Sequence, residues 1–127
     1  MERNEMNDAE KWNLRLTYEI LQKRMREEVE YAARRTGLFI GERTTVPEHT
    51  FLGEHGTYWD VGDVSLQLCW SKYYDSVQIY LERRPTRLAH IEIKPIKGDI
   101  EKNDKSIDKI MLLFMREIVK EARHGTH

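Results

Sequence analysis

Between Val64 and Pro95 apolar and polar residues alternate through three successive runs, each separated from the next by a turn signal. A chain with that pattern is committed to an antiparallel sheet that is dry on one side and wet on the other. In the first run Val64, Leu66, Leu68 and Trp70 alternate with Ser65, Gln67 and Cys69. The turn Tyr73-Tyr-Asp-Ser76 follows, and then Val77, Ile79 and Leu81 alternate with Gln78, Tyr80 and Glu82. A second turn carries Pro85, which has no N–H to give to a ladder. The last run sets Ala89, Ile91 and Ile93 against His90, Glu92 and Lys94. Strands buried on both sides would instead read as unbroken apolar runs, so helices are expected behind one face only.

The flanks supply those helices. From about Asn7 to Thr36, Leu14, Tyr18, Leu21, Met25, Val29 and Ala32 recur at helical spacing, with Trp12, Leu16 and Ile20 widening the stripe. Asn7 or Asp8 is the expected cap, Glu10 completes a capping box, and Gly37 ends the helix. A second helix is expected from Asp104 or Ser106 to about Arg123, its stripe made of Ile107, Ile110, Met111, Phe114, Ile118 and Ala122. Leu38–Gly41 reads as a brief apolar patch that starts a strand, 42–47 as loop, and His49–Trp59 as an irregular hairpin or edge strand loosened by Gly53 and Gly56. The expected fold is a single α+β domain over residues 1–127. It is an antiparallel meander of three to five strands, packed on one face by a long N-terminal and a C-terminal helix. At ~1.5 Å per residue the first helix reaches about 45 Å, against ~23 Å for a seven-residue strand. The excess motivates the expectation of a homodimer through the N-terminal helix.

The chain carries a formal charge of −1 and 34% charged residues, a balance unlike that of a dedicated nucleic-acid binder. Its single cysteine, Cys69, excludes an internal disulfide and suits a reducing, cytoplasmic compartment. The polar start Met1–Met6 does not read as a secretion signal, and no apolar run reaches the ~20 residues a membrane span needs. No glycine-rich phosphate loop, nucleophile elbow or cysteine–histidine pair appears, so no cofactor is expected.

Two sets of residues carry chemical possibilities. Glu92 and Lys94 project to one face of a strand, ~7 Å apart at their α-carbons. With Asp63 or Asp75, Glu92 offers oxygen ligands for a divalent cation, and Lys94 a charge for a phosphate. This pattern resembles the Asp…Glu-x-Lys signature of the restriction-type metal-dependent nucleases. That resemblance implies metal-dependent cleavage of nucleic acid, with Glu19 as an accessory acid. The register expected from the second turn places Glu92 near Ile79. The second set is His49, Glu54, His55, Asp60 and His90, whose side chains suit a transition metal but whose spacing matches neither a helical pair nor a finger. No metal site is therefore favoured.

The larger surplus is aromatic and cationic. Tyr73 and Tyr74 sit in a turn, Tyr80 on the wet face beside Gln67 and His90, and Arg83, Arg84 and Arg87 around the second turn with Glu82 as their nearby acid. Tyrosine and arginine together at an exposed surface are the composition of a protein-binding site. The expected function is a non-catalytic interaction module (an inhibitor, immunity-type or adaptor protein) that binds another protein. Its surface is expected to comprise Tyr73, Tyr74, Tyr80, Arg83, Arg84, Arg87, His90, Glu92 and Lys94. The alternative is the nuclease, using Asp63, Asp75, Glu92 and Lys94, and nucleic acid is the second partner class.

Overall fold

A computed structural model describes residues 8–47, 53–71, 75–94 and 104–124. The elements follow in the order α1 (Asp8–Thr36), β1 (Gly41–Thr45), β2 (Glu54–Val61), β3 (Val64–Ser71), β4 (Val77–Arg83), β5 (Thr86–Ile93) and α2 (Asp104–His124). The strands form one antiparallel sheet in chain order, so every connection within it is a hairpin. Asn7, His49, Tyr73 and Tyr74 lie outside the described residues, as do the side chains of the expected capping residues Asp8, Glu10 and Asp104.

The core is one cluster sandwiched between the sheet and the helix layer. Leu14, Leu21, Met25, Val29 and Ala32 enter it from α1, and Ile107, Ile110, Met111, Phe114 and Ile118 from α2. The sheet supplies Trp59, Val64, Leu66, Leu68, Val77, Ile79, Leu81 and Ile93. Register puts these on one side: Trp59 stands opposite Leu66, Leu66 opposite Leu81, and Val77 opposite Ile93. Both helices therefore cover the same face. The architecture is the α+β meander that the alternation requires, with five strands.

The stretch of α1 from Leu14 to Ala32 spans ~27 Å, which matches an eight-residue strand at ~27 Å. The remainder of the helix extends past this stretch at both ends. Trp12, Leu16 and Ile20 do not widen the buried stripe: they are 57%, 38% and 49% exposed. A 100° step per residue carries them round to the far side of the helix from Leu14 and Leu21. At the other end Gly37, at φ 75, closes the helix, and its N–H reaches the Ala33 carbonyl at 2.8 Å.

Two stretches depart from the expected layout. Gly41–Thr45, read as the end of a patch followed by loop, is the edge strand, pairing Gly41 with Asp60 and Thr45 with Gly56. It has no apolar side chain to reveal its dry face, because its helix-side residues are Thr44 and Glu42. That carboxylate accepts from Arg26 Nε at 2.8 Å and from Trp59 Nε1 at 2.7 Å. As a result β2 is an interior strand rather than an edge. The β4–β5 hairpin carries a bulge, since Leu81 pairs with Ala89 but Glu82 with Arg87, leaving Leu88 inserted and exposed. Glu92 stands opposite Gln78, not Ile79. Directly opposed residues point to the same side, and Ile79 belongs to the dry one.

Candidate interaction surface

The face away from the helices is organised in cross-strand rows. The middle row runs Arg43, Tyr58, Gln67, Tyr80 and His90, each directly opposite the next on all five strands. One side of it carries Asp60, Ser65, Glu82 and Arg87, and the other Thr45, Gly56, Cys69, Gln78 and Glu92. The central strand contributes mostly small residues, so Ser65, Cys69 and Ser71 sink below their larger neighbours and are buried. Tyr58 and Tyr80 stand on either side, two strand spacings or about 9.5 Å apart.

Each tyrosine ring carries a guanidinium. Arg43 Cζ lies 4.1 Å from the Tyr58 centroid and Arg87 Cζ 4.5 Å from that of Tyr80. His90 stacks on Tyr80 at 4.5 Å and 10°. Its Nε2 and Gln78 Oε1 share a hydrogen bond at 2.5 Å. The carboxylates are compensated in place. Asp60 accepts from Arg43 Nε at 3.0 Å and Arg84 Nη2 at 3.1 Å. Glu82 accepts from Gln67 Nε2 at 3.1 Å and has Arg87 Nε at 3.9 Å. Across the face Arg43, Arg84, Arg87 and Lys94 are matched by Glu54, Asp60, Glu82 and Glu92, with Asp75 beside Lys94, so the face carries no cationic excess to favour a polyanion.

Burial dominates the acid–base behaviour of the central groups. It pushes the Cys69 thiol up to about 11, with the Tyr58 hydroxyl 3.8 Å away only partly opposing the rise. Burial, then the neighbouring Cys69, pushes Tyr58 up to about 12. Neither group is primed for nucleophilic work at neutral pH.

Of the residues that the sequence singles out, Tyr80, Arg84, Arg87, His90, Glu92 and Lys94 fall on or beside this face. Arg83 does not. It turns to the helix side, where Nε reaches Glu117 Oε1 at 2.7 Å and Nη1 reaches Glu121 Oε1 at 2.6 Å. The arginine cluster of the turn is thus split between two faces by strand parity, and Glu82 is not its only nearby acid.

The nuclease set is divided as well. Asp75 and Lys94 come within 4.0 Å at one end of the sheet, near Glu92. Asp63 lies in the β2–β3 turn at the opposite end, its carbonyl bonded to Arg84 N, a strand length or ~27 Å away. Glu19 is on α1, behind the sheet, paired with Arg15 at 3.7 Å. The histidine and carboxylate set is scattered too, with His55 on the helix side against Trp70 and His90 on the open side. Among the described residues no three histidine, cysteine or carboxylate side chains converge on a common point.

Arg43, Tyr58 and Asp60 belong to the surface, yet nothing in the chain marks them as plainly as the later strands mark theirs. The alternation Tyr58, Asp60 against Thr57, Trp59, Val61 is present, but Gly56 and Thr57 blur its start. Among the described residues no helix is long and apolar enough to cross a membrane. No protein-family model, characterised protein or solved structure matches the chain.

Proposed function

We propose that this chain is a non-catalytic interaction module, an inhibitor, immunity-type or adaptor protein, that binds a protein partner through the open sheet face. The observation that carries the reading is the middle row, in which Tyr58 and Tyr80 are held by Arg43, Arg87 and His90 with their carboxylate neighbours already paired. Such a surface offers rigid aromatic area and forked donors at little cost in ordering, which is what anchors a protein interface. Tyr80, Arg84, Arg87, His90, Glu92 and Lys94 form its β4–β5 half. Cancelled charge supports a protein over a nucleic acid. A buried, unactivated Cys69 suits a reducing compartment such as the cytoplasm. Self-association through α1 is a separate proposal on a different surface.

The test is affinity capture from the native host with wild type, Tyr80→Ala/Arg87→Ala and Glu92→Ala/Lys94→Ala, followed by identification of the co-purifying protein. A partner retained by wild type and lost by the first variant supports the reading. Divalent-metal-dependent cleavage of nucleic acid by wild type, abolished in the second variant, would replace it with the nuclease.

A further inference from the structure

The outer side of α1 is apolar where nothing in the fold requires it. Trp12, Leu16 and Ile20 follow one another at four-residue steps and are 57%, 38% and 49% exposed, while Leu14 and Leu21, on the opposite side of the same turns, are each 1% exposed. Three large side chains in one continuous line are more than the scattered single residues normal on a surface. The line is independent of the open sheet face, because α1 packs on the other side of the sheet.

The charges beside the line indicate what covers it. Arg15 and Glu19 lie on one flank of the stripe, 63% and 49% exposed, and their mutual contact within the helix is a loose 3.7 Å. In an antiparallel pair of identical helices, each flank meets the same flank of the partner with the order reversed. With the two-fold axis near Leu16, Trp12 falls on the partner's Ile20, Leu16 near the partner's Leu16, and Arg15 toward the partner's Glu19. The reciprocal contact, Glu19 toward the partner's Arg15, follows from the symmetry. The surface is thus complementary to itself both in apolar shape and in charge, and a parallel copy would lose the charge match.

We infer that a second copy of this chain docks on the Trp12–Leu16–Ile20 face of α1, antiparallel and two-fold. The partner surface adds its own Trp12, Leu16 and Ile20, so six large side chains leave water together around the axis. Arg15 and Glu19 close the rim and fix the direction of approach.

Sedimentation of the full chain over a range of concentrations tests this, with helicity by circular dichroism as the folding control. Wild type is expected to dimerise. Leu16→Glu is expected to keep its helicity and to raise the dissociation constant by at least ~30-fold, the scale of a central anchor. Arg15→Glu and Glu19→Arg singly are expected to weaken the dimer, and Arg15→Glu/Glu19→Arg together to restore it. Tyr80→Ala, on the other surface, is expected to leave the mass unchanged, which separates this inference from the proposed function. A monomer at all concentrations overturns the inference and leaves the face to a different protein. So does a dimer indifferent to Leu16→Glu, or one that the double charge exchange fails to restore.

Discussion

Arg83 shows how one residue's place depends on parity. Counted with Arg84 and Arg87 it looks like part of a cationic turn, yet it is the tie between β4 and α2. Glu117, which accepts from it, is only 8% exposed. Burial pushes that carboxyl up, but hydrogen bonds from Arg83 and Lys120 outweigh it and hold the group below its ordinary value. A depressed carboxylate stabilises the fold above its unfolded pKa, and that contribution is lost as pH falls through the folded one. Removing Arg83 leaves the buried Glu117 carboxylate with Lys120 as its remaining cation, so Arg83→Ala is expected to cost about 2 kcal/mol at neutral pH, by denaturant titration. It should also flatten the loss of stability below the ordinary carboxylate value of 4.5. Arg83→Lys should recover only part, since one ammonium cannot fork to two carboxylates.

Cys69 gives the opposite sign. Its thiol is raised from 9.0 to about 11 by burial, so as pH climbs from 9 the unfolded chain ionises first and stability falls. Alkylation of the native protein at pH 8 is expected to be slow and to accelerate on unfolding. Rapid labelling of the folded chain would show the thiol to be more open than its 5% exposure allows. Gly56 is constrained by a neighbour: a Cβ there would sit 2.6 Å from the Tyr58 ring and 2.7 Å from Thr45 Oγ1. Gly56→Ala is expected to destabilise by ~1–3 kcal/mol through overpacking, read from the thermal midpoint.

At the scale of elements, β3, β4 and β5 were legible because each has a complete dry face, and hydrophobic alternation reports a dry face directly. β1 was not, since polar residues, Thr44 and Glu42, occupy its helix side, and Glu42 is satisfied by Arg26 and Trp59 only once the fold exists. The length of α1 was readable, but the buried share of its apolar residues was not. Tyr18 and Leu21 differ from Leu16 and Ile20 only in angle about the axis, and the sequence shows both sets as apolar. That difference predicts contrasting variants. Leu21→Ala is expected to lose ~2–5 kcal/mol as a core truncation, whereas Leu16→Ala should stay within ~0.5 kcal/mol in the dissociated monomer. Equal losses at the two positions would mean that the outer side of α1 is packed within the monomer.

For the molecule as a whole, one division of labour follows from the strand period of two. The helix-covered face holds the fold together, and the opposite face is released from that duty. The half of the candidate surface on β4 and β5 could be named from sequence, because Tyr80, His90 and Glu92 alternate with an unmistakable core. The half on β1 and β2 could not, because it depends on pairing between segments whose own patterns are weak. Arg43 meets Tyr58 only through the register of the finished sheet. The balance of charge across that surface is likewise a product of register.

The most direct measurement is capture from the native host with wild type and with Tyr80→Ala/Arg87→Ala, each first shown to unfold at the same denaturant midpoint. A protein partner is expected to be bound by wild type, lost by the variant, and still bound by Leu16→Glu. Capture unchanged by the sheet-face substitutions would contradict this expectation.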